Sequence, residues 1–173
     1  EELSIGLAKA DEAKPWSAAE DAALYLVVTP AETALTDTAL QVIEKARAHD
    51  GSIAANPIST VLALWGATRA GAAVVAATLL DALLALRVEG TWRFCTTEIW
   101  DTALLTRSLL LANASSGVLE PARRFLRTAQ NADGGWGYAP GRDSDVDTSA
   151  MAMLVTDRST TSFERAYEYL VGL

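Results

Sequence analysis

The feature that most constrains this chain is an internal repeat. An acid, a glycine and a small or hydroxylated residue recur as Asp50-Gly51-Ser52, Glu89-Gly90-Thr91 and Asp133-Gly134-Gly135, with the glycines 39 and 44 residues apart. Thr60, Thr102 and Thr148 follow, 42 and 46 residues apart, each opening an apolar stretch. Between these markers each unit reads as an amphipathic helix, the turn, a loop of about a dozen residues and a more apolar helix. A period of this length made of two helices denotes stacked helical hairpins, with polar-faced helices outside and apolar helices inside. The expected fold is all-α, an α/α toroid (barrel). One segment would span 1–173, with repeats at roughly 34–68, 72–113 and 119–156, a last helix at 162–173 and no internal linker. The inner-helix N-termini of such a barrel gather at one end, so Asp147, Trp100 and the Asn56-Pro57 turn are expected near it.

The individual helices follow from their stop and start signals. Pro15-Trp16-Ser17 opens the first, with Ser17 as cap and Glu20 and Asp21 in the first turn, and it ends before Pro30. The second runs from Thr33 or Thr36 to His49, with Leu35, Ala39, Leu40, Ile43 and Ala46 on one side. Further helices are expected at 59–68, 72–88, 98–113, 119–130 and 148–155; the fourth of these carries a basic face of Arg123, Arg124 and Arg127. Asp147, Thr148 and Ser149 are all good N-capping types for the one that starts at 148.

Charge and composition narrow the function. The net charge of −8 makes nucleic acid an unsuitable partner. A single cysteine, Cys95, allows no internal disulfide and fits a reducing, cytoplasmic setting, where it reads as a buried small hydrophobe. The longest apolar run, near 70–86, is interrupted by Asp81, so no transmembrane segment is expected. His49, the one histidine, reads as a residue at a helix C-terminus.

The stretch Gln130 to Met153, QNADGGWGYAPGRDSDVDTSAMAM, concentrates the chemistry. Three carboxyl groups, Asp143, Asp145 and Asp147, stand at or just before a helix start, where simple capping needs one. QNADGGWG is similar to the QW repeat of the squalene–hopene and class II terpene cyclases, and DVDTSA resembles a variant of their DxDD(T)A acid motif. TEIWDTALL (97–105) is similar to their WDTAL segment, and DGSIAANPISTVLAL (50–64) to a stretch of the class II diterpene cyclases. The chain thus resembles that superfamily, in its bacterial diterpene- or drimenyl-type branch, as a partial chain from Asp50 onward.

The resemblance implies protonation-initiated cyclisation of a linear prenyl diphosphate, such as geranylgeranyl or farnesyl diphosphate. It places the proton donor at Asp147, the preceding acid at Asp145 and, in place of the motif's last acid, Thr148. A register two residues earlier, Asp143-Ser144-Asp145, would make Asp145 the donor. Such an acid must be protonated at neutral pH, and burial and a neighbouring carboxylate both act in that direction. Trp100 would line the cavity, with Trp92, Trp65, Tyr138 and Asp101 as further candidates, and aromatic faces stabilise cations. Trp136 would be structural, tying hairpins together. No metal held by protein ligands is implied; Mg²⁺ would arrive on the substrate diphosphate, with Glu20 and Asp21 as a weak candidate pair. One cysteine and one histidine do not suit the zinc site of the related prenyltransferase toroids.

Other readings stay open. They are a squalene- or hopene-type triterpene cyclase, a non-catalytic helical-repeat binding domain, Asp147 as a plain cap, Trp100 as plain core and Asp101 as a loop anchor. A closed toroid needs about six hairpins, more than this chain supplies. Activity would therefore need more chain, a second helical domain or a homo-oligomer.

Overall fold

The computed structural model describes residues 15–29, 34–93 and 96–172; Cys95 lies outside them. Among the described residues the chain is all-α. Its eight helices are α1 Pro15–Val28, α2 Thr36–Ala46, α3 Pro57–Arg69, α4 Ala73–Ala85, α5 Glu98–Leu111, α6 Ser116–Thr128, α7 Val146–Met153 and α8 Thr161–Val171. Among the described residues, three isolated antiparallel bridges supply extended pairing: Arg47 with Ile53, Val88 with Thr91 and Trp136 with Asp145. The chain divides into two compact units, Glu1–Leu86 and Arg87–Leu173, and the division falls inside the second sequence repeat.

In the first unit α1 packs on α2 and α3, and α3 packs on α4. The contact between α1 and α3 is built from small residues. Ala19, Ala22 and Ala23 are buried on one helix, and Ala63, Gly66 and Ala67 on the other. A Cβ at Gly66 would stand 2.9 Å from the Ala23 carbonyl oxygen, so the two backbones nearly touch. Asn56 caps α3, its side chain accepting from the N–H groups of Ile58 (2.9 Å) and Ser59 (3.4 Å), and Pro57 occupies the first helical position. Helix α2 buries Ala39 and Ile43, one turn apart.

The second unit has the same plan. α5 packs on α6 and α7, and α7 packs on α8. Trp136 is fully buried at the centre, with Ile99 and Ala103 of α5, Leu126 of α6, Ala152 of α7, Val155 just after α7, and Ala166 of α8. Its indole N–H donates to the Leu126 carbonyl at 2.7 Å. Gln130 joins the same corner: its amide donates to the carbonyls of Gly134 and Ser162, both at 2.8 Å. Gly134 holds φ +91, and a Cβ there would meet the Arg165 carbonyl at 2.4 Å. No L side chain fits that position.

One hydrogen-bond device recurs in the three repeats. The second residue after each turn glycine donates its backbone N–H to a hydroxyl early in the next apolar helix. Ile53 donates to Thr60 (3.0 Å), Trp92 to Thr102 (3.2 Å) and Trp136 to Ser149 (2.8 Å). Each of these hydroxyls is buried, so the bond satisfies a turn N–H that water does not reach. The third member is Ser149, where the sequence spacing had pointed to Thr148. The helix starts are corrected likewise. α7 begins at Val146 rather than at 148, with Asp145 as its cap, and α1 begins at Pro15, so Glu20 and Asp21 lie beyond its first turn.

Candidate functional site

The shared hydroxyl register aligns the sequences of α3, α5 and α7 position by position. Asp101 and Thr148 precede the stapling hydroxyls of α5 and α7, and both are buried, each at 2% exposure. Trp100 and Asp147 stand one residue earlier still. Both point less deeply inward: Trp100 is half-buried and Asp147 is exposed. The two helices that carry them pack directly on each other. The loop before α7 also touches the start of α5, where the Ile99 N–H donates to the Tyr138 carbonyl at 3.1 Å.

The three aspartates have different surroundings. Asp145 is half-buried, and its side chain accepts from the Thr148 N–H at 2.7 Å. Its own N–H donates to the Trp136 carbonyl at 2.9 Å, which fixes the loop against the turn. Asp143 and Asp147 are exposed. Asp147 lies in the first turn of α7, on a side of the helix that is mostly apolar and open. Val146, Ala150 and Leu154 are all exposed along one stripe there, with Val146 at 55% and Leu154 at 56%. Their spacing of four residues puts them one above another.

The aromatic candidates divide as well. Trp92 is covered, at 1% exposure, in the position equivalent to Trp136, and the Arg87 guanidinium lies 5.6 Å from its ring. Tyr138 is 42% exposed, with the Arg142 guanidinium 5.9 Å from its ring. The Trp100 indole N–H is buried and has no hydrogen-bond partner among the described residues. Asp101 accepts from the Thr97 hydroxyl at 3.1 Å, which ties it to the start of α5. In the first unit Trp65 is half-buried, and Glu20 accepts from the buried Ser59 hydroxyl at 2.6 Å. Among the described residues no three His, Cys, Asp or Glu side chains come together to hold a metal.

Two residues absent from the sequence reading border this region. Arg93 and Arg142 line an open recess of about 640 Å³ together with Thr96, Glu98, Tyr138 and Pro140. Arg93 forms an ion pair with Glu98. In the sequence both arginines sit in irregular loops between helices, without the periodic neighbours that mark a helix face; that is the signal available for them.

No family model matches the chain. A stretch of 64 residues is 38% identical to drimenyl diphosphate synthase from Streptantibioticus cattleyicolor. That match covers 35% of this chain and 12% of the synthase, so the shared stretch is a small part of that enzyme's length. The chain is therefore similar, over about a third of itself, to a terpene synthase-type protein. No described helix is long and apolar enough to cross a membrane.

Proposed function

We propose that this chain forms part of a class II terpene cyclase that acts on a linear prenyl diphosphate, with Asp147 as the proton donor. The observation that carries the reading is the setting of α7. Asp145 is engaged as the cap, while Asp147 projects beside the uncovered apolar stripe of Val146, Ala150 and Leu154. An acid that protonates an alkene needs such a surface, because a hydrocarbon chain lies along apolar walls and a cation survives only away from nucleophiles. The partial identity to drimenyl diphosphate synthase supports the substrate class.

In this reading the toroid is completed, and the apolar face covered, by a second helical domain or a second copy of the chain. Covering that face removes Asp147 from water, the setting that a proton donor to a hydrocarbon needs. The carboxyl proton passes to the less substituted carbon of the terminal alkene, an internal alkene attacks the resulting tertiary cation, and loss of a proton from the final cation to water ends the sequence. Trp100, in the equivalent position on the adjacent helix, offers its ring face to the cation. Thr148 and Asp101, both buried, hold the two helix starts in place. Mg²⁺ accompanies the substrate and needs no protein cluster.

The exposure of Asp147 also favours a second reading, a helical-repeat binding domain in which this residue is an ordinary first-turn acid. Asp147→Asn in the full-length protein separates the two. With farnesyl or geranylgeranyl diphosphate and Mg²⁺, the variant should bind substrate but give no cyclic product by gas chromatography and mass spectrometry. Near wild-type turnover in Asp147→Asn would exclude it as donor. A loss in Asp145→Asn alone would move the donor to Asp145.

A further inference from the structure

We propose that the recess between Arg93 and Arg142 is the site that receives the diphosphate group of the substrate. This rests on the reading of the chain as a prenyl diphosphate cyclase. Two guanidinium groups from separate loops converge on one recess, in a chain whose net charge is −8. A planar guanidinium presents paired N–H groups that match phosphoryl oxygens. The Arg142 guanidinium carbon lies 5.9 Å from the centre of the Tyr138 ring, and both residues line the recess. Arg93 is paired with Glu98, the one carboxylate in the lining. Two cations against one anion leave a surplus positive charge. Asp143 follows Arg142 in the chain and is exposed, and it does not line the recess.

Three further features suit a phosphorylated group. Glu98 is the first residue of α5, so the recess borders a helix N-terminus, whose partial positive charge favours anions. The hydroxyls of Thr96 and Tyr138 add neutral donors. The volume, about 640 Å³, is that of a small-molecule site rather than an ion-sized notch. The loop that carries Tyr138 and Arg142 leads directly into α7, so the head group and the acid would be set by one continuous segment, residues 136–147.

Calorimetric titration with inorganic pyrophosphate tests the site without any turnover. Wild-type protein should bind it, and the affinity should fall with added salt, as expected of a charge-based site. Arg142→Gln and Arg93→Gln should each weaken binding about tenfold, the effect of losing one hydrogen bond between charged groups. Glu98→Gln removes the competing carboxylate and should tighten binding. Arg124→Gln, an exposed arginine on α6, should change nothing. Circular dichroism confirms that each variant is folded. No binding by wild type, undiminished binding by the Arg93→Gln/Arg142→Gln double variant, or weaker binding by Glu98→Gln would each overturn the site. Farnesyl diphosphate should compete with pyrophosphate and farnesol should not; a diphosphate ester that fails to compete would show a site for free phosphates instead. Because no product is measured, failure here leaves the Asp147 experiment standing, and failure of that experiment leaves this one standing.

Discussion

Replacing Asp145 by alanine should loosen the start of α7, whereas replacing Asp147 by asparagine should leave it closed. The Asp145 side chain accepts from the Thr148 N–H at 2.7 Å, and Thr148 is 2% exposed. Water cannot readily replace the lost bond, so the cost lies toward the upper part of the range for a lost N-cap, about 1–2 kcal/mol. That corresponds to roughly a 5- to 30-fold rise in the population of the opened helix start. The Asp147 side chain is exposed, and in Asp147→Asn the lost interaction is with the helix dipole alone, about 0.3–1 kcal/mol at low salt. High salt should erase that smaller effect and spare the larger one. Amide hydrogen exchange at Thr148 reads the difference directly. Asp145→Ala should accelerate it in both salts, and Asp145→Asn, an equally good cap, should not. If Asp147→Asn opens this amide as much as Asp145→Ala does, Asp145 is not the cap, and the separation of cap from proton donor collapses.

Gly66→Ala should destabilise the first unit although alanine is the better helix former. The propensity gain is up to about 1 kcal/mol, but the new Cβ would stand 2.9 Å from the Ala23 carbonyl oxygen, and such overpacking costs about 1–3 kcal/mol. Higher stability of this variant in urea would mean that α1 and α3 are not in close contact. The Ser52 hydroxyl and then the Ser52 N–H, donating to Asp50 at 2.7 and 2.9 Å, hold that carboxyl below its usual range. A depressed carboxylate contributes stability above its unfolded value, near pH 4, and loses it as the pH falls through the folded value. The stability gap between wild type and Asp50→Asn should therefore be widest near neutral pH and close on acidification; a gap that widens in acid would contradict the assignment.

Much of the architecture was legible in the sequence. The all-α class and the helix–turn–helix alternation follow from hydrophobic period and from glycines that must adopt positive φ. Gly51, Gly90 and Gly134 do so, at +82, +90 and +91. The end of α1 before Pro30 and the helix start at Glu98 were likewise local matters, decided by neighbours within one turn. The structural part assigned to Trp136 also rested on a local motif, and its indole N–H is seen bound to the carbonyl of Leu126.

What only the tertiary structure decided depends on helical phase and on loop length. The hydroxyl that receives the turn N–H lies 7, 10 and 13 residues downstream in the three repeats. A marker at near-constant spacing therefore selected Thr148 in place of Ser149. On a helix each residue turns the side chain by about 100°, so an error of one position changes what a side chain meets: Thr148 and Ser149 are both buried, and it is Ser149 that receives the turn N–H. The same phase makes Asp145 the cap and leaves Asp147 outside on an apolar stripe, a distinction that three aspartates at alternate positions do not reveal. Trp92 and Trp100, both cavity candidates by type, part for the same reason: the first lies under Arg87 and is stapled to Thr102, and the second stands two positions before that threonine and is half-buried. Arg93 and Arg142 are 49 residues apart in the chain. They line one recess because the folding of the second unit brings the loop before α5 beside the loop before α7, a proximity that no local pattern encodes.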